Sequence, residues 1–316
     1  YTIGDVHYVE EMGILVPAGR TEFAMDPVFG YTSSNLRHWV EEKTEGRISR
    51  HDVASVSIEE IRKGGAGRVT ERLMDLADRK VCILNSAGYR DLEVFVAGLL
   101  NAESKGKRFL YRTAASFVRV RSGILPRPLL SVADLAIPET GGALIVVGSF
   151  VQKTSGQLRE LLALPGMTGV EIRVESLLDD TLLNVEINRA AERVEKYLQR
   201  GAEVVVYTSR TVVTGRDAEE SLSIGNRISE GLIEIIRKVS VRPRYLIAKG
   251  GVTSNDVATR GLGVRRAMVL GQILPGVPVW CLGPESRFPG LPYIVFPGNV
   301  GGPGAMADIV TALGCL

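Results

Sequence analysis

Cysteine and histidine are both scarce. The three cysteines, Cys82, Cys281 and Cys315, are far apart and odd in number, which argues against a disulfide framework or a thiolate metal site. Cys82 and Cys281 lie in apolar, strand-like runs and suit reduced core thiols in a cytoplasm. His7, His38 and His51 show no ligand spacing, and no Ser-His-Asp order stands out. A charge excess of one sign is also missing: 38 Lys+Arg face 36 Asp+Glu. Without a large positive field the chain is not expected to bind nucleic acid or an anionic membrane, and a small anion needs a local cluster. No run reaches the ~18 apolar residues of a membrane span, and no charged-then-apolar leader opens the chain. Tyr1 is not an initiator methionine, so the expectation is that something precedes it. With 45% hydrophobic residues over 316 positions, two ordinary domains with a substantial core are affordable.

What is present is alternation. Short apolar runs at 143–147, 170–174 and 203–207 are each followed by a helical pattern, at 154–164, 183–199 and 218–239. Further strands are expected at 245–248, 267–270, 279–282 and 293–296, then a last helix over 305–313. Near-continuous apolar strands separated by helices predict a parallel sheet buried on both faces. The first half is less regular: helices at 34–43, 69–76 and 91–103, strands at 81–84 and 108–110. Between the halves, 123–142 holds Pro126, Pro128 and Pro138 with Gly123, Gly141 and Gly142, a density that reads as a linker. The predicted class is α/β, two domains (1–133 and 134–316) with mainly parallel sheets flanked by helices and an active site in the cleft between them.

Two glycine-rich loops carry the strongest chemical signal. Lys249-Gly250-Gly251-Val252-Thr253-Ser254 ends an apolar run, and Ser254 is placed to N-cap a helix beginning Asn255-Asp256. Gly298-Asn299-Val300-Gly301-Gly302-Pro303-Gly304 packs four glycines into seven residues after another such run. A strand running through glycines into a helix presents backbone N–H groups, a geometry that attracts phosphate. Lys249 adds charge, and Thr253 and Ser254 add hydroxyls. Neither loop has the Walker A order or Gly-x-Gly-x-x-Gly, and tight turns or a solvent loop remain the bland alternatives. On neighbouring parallel strands both would reach one carboxyl edge. Gly148-Ser149-Phe150 offers a further donor or a simple capped turn. Arg112 to Phe117 pairs an arginine with hydroxyls that suit a carboxylate, with an ordinary surface arginine as the bland alternative.

Four stretches resemble one family. Phe29 to Arg47 (FGYTSSNLRHWVEEKTEGR), Lys249 to Ala258 (KGGVTSNDVA), Val269 to Trp280 (VLGQILPGVPVW) and Phe296 to Gly302 (FPGNVGG) are similar to the four-carbon acid sugar kinases, and the similarity runs over essentially the whole chain. The resemblance implies an N-terminal sugar-acid domain, a C-terminal nucleotide domain, and phosphorylation of a tetronate such as threonate, erythronate or 3-oxo-tetronate by ATP with Mg²⁺. It places Ser149, Gly250, Gly251, Val252, Thr253, Ser254, Gly298, Asn299, Gly301 and Gly302 at the nucleotide, Lys249 beside it as the catalytic cation, and Arg112 and Ser116 at the sugar acid. Family members open with Asp-Asp-x-Thr-Gly on their first strand. This chain has no such run, so it is expected to start partway through that domain. A homo-oligomer is compatible with the resemblance. A nucleotide-binding regulatory module without turnover is the rival reading; an NAD-linked dehydrogenase lacks its fingerprint here.

Overall fold

The computed structural model describes residues 1–314 apart from 12, 27, 28, 78, 149–151, 211, 212 and 214. It forms two compact units, Tyr1–Pro126 and Arg127–Leu316. The division falls inside the proline- and glycine-rich connector.

The first unit begins with an antiparallel meander, β1 (Thr2–Ile3), β2 (Val6–Glu11) and β3 (Ile14–Pro17). Gly4 and Asp5 both take positive φ (58° and 64°), the pair of left-handed residues that a two-residue hairpin with the right strand twist requires. Then follow α1 (Leu36–Lys43), β4 (Ala54–Val56), α2 (Ile58–Met74), β5 (Cys82–Leu84), α3 (Tyr89–Ser104) and α4 (Ala115–Arg121). β4 and β5 pair in parallel, Ser55 opposite Ile83. β4 has no second strand neighbour among the described residues. On its outward side the Val53 carbonyl accepts from Arg37 and the Ser55 carbonyl from Arg72 Nε at 3.3 Å.

Several first-unit expectations change. Residues 108–110 form no strand, and Leu110 is fully exposed (101%). α4 takes up the following segment instead. The helix expected at 69–76 starts eleven residues earlier, where Ser57 and Glu60 form a reciprocal capping box. It passes Gly64, Gly65 and Gly67 by kinking at Gly65 (φ 61°). α2 and α3 cross closely at Gly98, where a methyl would stand 2.7 Å from the Ala66 carbonyl oxygen.

The second unit follows the predicted alternation: β6 (Ala143–Val147), α5 (Gln152–Leu162), β7 (Met167–Ile172), α6 (Val174–Leu178), α7 (Leu183–Gln199), β8 (Glu203–Thr208), α8 (Ala218–Lys238), β9 (Leu246–Lys249), α9 (Gly251–Asp256), β10 (Ala267–Leu274), β11 (Val277–Leu282), β12 (Pro292–Phe296) and α10 (Ala305–Ala312). The sheet order is β10-β11-β12-β9-β6-β8-β7. β12, β9, β6, β8 and β7 are parallel, and β11 and β10 close one side antiparallel.

Every residue of β6 and β9 is buried, as the continuous apolar runs require. Leu144 and Val146 pack under α7 and α8, while Ala143, Ile145 and Val147 pack under α5 and α10. Each fully buried Val, Leu or Ile stabilises by about 1.5–3 kcal/mol, so this central pair of strands is a stiff platform. From β6 the chain leaves toward β8 and β7, and from β8 it returns past β6 to β9. The order therefore reverses at the β6–β9 junction, the kind of position at whose carboxyl edge open α/β sheets commonly bind ligands.

Candidate functional site

Phe296, Lys249 and Val147 lie abreast in the ladder, each at the carboxyl end of its strand. The loops after β12, β9 and β6 therefore start from one row, as expected for both glycine loops. They are the second unit's candidate site.

At β9 the chain turns through Gly250, whose φ of 109° and ψ of 146° suit glycine alone. Gly250 is the N-cap of α9, and the helix starts at Gly251. Ser254 is thus inside the helix rather than its cap, and the helix starts four residues before the expected Asn255. Its buried hydroxyl donates to the Ala248 carbonyl at 2.6 Å, and its own carbonyl accepts from Tyr293 Oη at 2.6 Å. Burial pushes the Tyr293 phenol well above its ordinary value, keeping it a donor. These bonds tie α9 to β9 and β12. α9 ends in a π-turn, Val257–Gly261.

Gly251 and Val252 face solvent, and a methyl at Gly251 would touch nothing within 4 Å. Thr253 is half-buried against the β6 loop: a Cβ at Gly148 would stand 2.6 Å from Thr253 Oγ1. Ser149 lies outside the described residues.

The β12 loop is organised by its carbonyls. Lys249, completely buried, donates from Nζ to the carbonyls of Pro297 (2.6 Å) and Gly298 (3.0 Å), and its ammonium stands 4.5 Å from the centre of the Phe296 ring. Lys153 Nζ donates to the Asn299 carbonyl at 3.1 Å. Gln157 Nε2, also fully buried, reaches the carbonyls of Val300 (3.0 Å), Gly301 (3.3 Å) and Gly302 (3.0 Å). Every carbonyl from Pro297 to Gly302 thus accepts from a side chain beneath or beside the loop. The amides of Gly298, Asn299, Val300, Gly301 and Gly302 have no acceptor among the described residues. A run of unclaimed N–H groups is a partial positive charge, and nothing stands within 4 Å of where a Cβ would sit at Gly298 or Gly302. Donor type and room both suit a phosphate.

At the end of β8, Arg210 donates to the Thr208 carbonyl (Nε 3.1 Å, Nη2 2.6 Å) and hydroxyl (2.9 Å). Burial lowers its pKa, as for any cation drawn from water.

Lys153, Gln157 and Arg210 escape sequence reasoning. Gln157 leaves one trace, a polar residue in line with Thr154, Leu158 and Leu161 on the buried face of α5.

In the first unit, Arg112 is exposed and its guanidinium lies over the Trp39 ring, 4.7 Å from the centroid. It has no carboxylate partner among the described residues. Ser116 sits half-buried in the first turn of α4, one turn on from Arg112. At the carboxyl ends of β4 and β5, Asp5 accepts from Ser55 Oγ (2.5 Å), Asn85 Nδ2 (2.8 Å) and Arg37 Nε (2.6 Å), a network that fastens the hairpin to the sheet. Cys82 beside it is half-buried, and burial pushes its thiol up to about 11, so it is inert as a nucleophile. Among the described residues no group of three His, Cys, Asp or Glu can hold a metal, and no helix is long and apolar enough to cross a membrane.

Comparison with known proteins agrees with this division of labour. Residues 1–121 match the model of a sugar-binding N-terminal domain, and residues 144–306 match that of a nucleotide-binding C-terminal domain. A crystal structure from Salmonella typhimurium LT2, of a protein provisionally named a tRNA synthase, shares the fold at TM-score 0.59 and 16% identity, covering 96% of this chain and 68% of that one. A Haemophilus influenzae protein of family DUF1537 does so at 0.53 and 16%, covering 99% and 71%. No curated protein matches the chain.

Proposed function

The chain belongs to the four-carbon acid sugar kinase family, and from that premise we propose that it moves the γ-phosphoryl group of ATP to a hydroxyl of a four-carbon sugar acid of the threonate, erythronate or 3-oxo-tetronate type. The single observation that best supports nucleotide use is the β12 loop, whose carbonyls are all drawn to buried or flanking donors while its amides remain for a ligand. Phosphoryl transfer makes little covalent demand on the protein; it needs the phosphates positioned and their charge balanced. The β12 and β9 loops, with Thr253, supply N–H and O–H donors for that purpose. Mg²⁺ would arrive as the counter-ion of ATP, held chiefly by phosphate oxygens and water as this hard cation commonly is, and would neutralise charge on the phosphates. Arg112, held flat by Trp39 with its fork of donors open, suits the planar carboxylate of the acid.

The test is calorimetry of MgATP with the full chain, followed by ADP release against a panel of four-carbon sugar acids. Saturable MgATP binding and ADP release with one or more tetronates are expected. Absence of MgATP binding would overturn the nucleotide assignment; binding with no acid-stimulated ADP release would leave a nucleotide-binding module and overturn the kinase.

A further inference from the structure

We infer that Gln157 and Lys249 are positioning residues that hold the 297–302 loop in its phosphate-receiving shape, and that Lys249 acts through the loop rather than on the phosphate. This rests on the nucleotide reading above and assigns a role within it.

A lysine that met the γ-phosphate would keep its ammonium at the mouth of the site. Here the whole of Lys249 is buried, the ammonium lies over the Phe296 ring, and it gives hydrogen bonds to two successive loop carbonyls. A buried cation is tolerable only where it is well solvated by the protein, and here carbonyl dipoles and a ring face provide that. Drawing those oxygens inward fixes the peptide planes at 297 and 298.

Gln157 continues the same work from α5. One amide nitrogen spans three carbonyls, while its Oε1, equally buried, has no partner among the described residues. An unpartnered buried acceptor costs stability. A methionine of the same length would fill the space without that cost, so packing does not account for an amide here. Its donors do, because they set the peptide planes of 300, 301 and 302. Gly301 contributes the left-handed φ of 80° the curve needs, and a methyl there would stand 2.5 Å from Ala305 Cβ. Lys153, half-buried one turn earlier on α5, closes the series at Asn299. The loop is glycine-rich and would sample many shapes alone. With its carbonyls turned to one set of donors, it has one shape, and its amides are committed to one ligand before the ligand arrives.

The experiment uses the full chain with Gln157→Met, Lys249→Met and, as a variant whose fold is not at risk, Lys153→Met. Thermal midpoint, MgADP affinity by calorimetry and hydrogen exchange of the 298–302 amides with MgADP bound are measured on each. Gln157→Met is expected to keep or raise the midpoint, weaken MgADP at least tenfold, and speed exchange in the loop. Lys153→Met should show the same pattern at a few-fold. A purely structural role predicts affinity falling only together with the midpoint, and that outcome would overturn the inference. Wild-type binding with unchanged affinity and exchange in both Gln157→Met and Lys153→Met would overturn it too, leaving the nucleotide reading intact. If the wild-type chain binds no MgADP, the nucleotide reading itself fails and this inference with it.

Discussion

Replacing Gly148 with alanine tests whether the β6 and β9 loops meet as tightly as they stand. The added methyl would lie 2.6 Å from Thr253 Oγ1, 3.3 Å from Thr253 Cγ2 and 3.1 Å from Leu232 Cδ2. Optimal carbon contacts are about 3.5–4.0 Å, so Thr253 must retreat by roughly 1 Å. Thr253 is half-buried and can give, whereas Leu232, on α8, is 3% exposed and locked in the core. Overpacking of this kind costs about 1–3 kcal/mol, and one yielding neighbour puts the cost in the lower half of that range. For a unit of this size each kcal/mol lowers the melting temperature by ~2–4 °C, so a fall of a few degrees is expected. Thr253→Ala removes two of the three close atoms, so the double variant should regain most of the loss beyond the effect of Thr253→Ala alone. Differential scanning calorimetry of the four proteins closes the cycle. A Gly148→Ala protein that melts with the wild type, or a Thr253→Ala change that gives no relief, would refute the packing argument.

Other outcomes follow from the same geometry. Arg112→Ala should raise KM for the sugar acid several-fold and spare MgATP affinity; a fall in MgATP affinity with the acid unaffected would show the units' roles to be exchanged. Gly250→Ala forces a side chain onto φ 109°, at a cost of about 1–3 kcal/mol, and should lower the denaturation midpoint together with nucleotide affinity. Burial raises the Asp5 carboxyl, but the hydrogen bonds from Ser55, Asn85 and Arg37 outweigh it and leave it below the usual aspartate range. Its stabilising contribution is therefore complete above the unfolded value, near ~4, and is lost as pH falls through the lower folded value. Asparagine tolerates the left-handed φ at position 5, so Asp5→Asn should flatten the acid side of the first unit's stability curve without disturbing the turn. Equal acid sensitivity in the two proteins counts against the network.

The second unit was readable because its strands are buried on both faces. β6 and β9 carry no alternation to confuse with a helix, and the intervening helices, such as Leu183–Gln199, show the opposite periodicity. The first unit hides its elements. β4 and β5 are three residues each, too short for any pattern, and three glycines disguise the middle of α2. Arg108-Phe109-Leu110-Tyr111 mimics strand alternation, yet the aromatic side is satisfied by ring contacts among Phe109, Tyr111 and Phe117 rather than by a sheet. At the site, glycine spacing announced both loops. It could not announce that Lys249 turns beneath one of them, because that contact joins residues 48 and 49 positions apart.

Arg37 and Arg72, seated on the outward carbonyls of β4, make strand addition there a substitution reaction. An incoming strand would gain ladder bonds at Val53 and Ser55 only by evicting two guanidinium groups, one of which also neutralises Asp5. The net count of hydrogen bonds barely changes, and a carboxylate loses its counter-charge. An adventitious strand from another molecule therefore finds little thermodynamic incentive at this border, although the backbone runs straight along it. A segment that brought its own acceptors for the two arginines would dock at the same place without that penalty, so the border discriminates by the chemistry of the newcomer's side chains as well as by its readiness to extend.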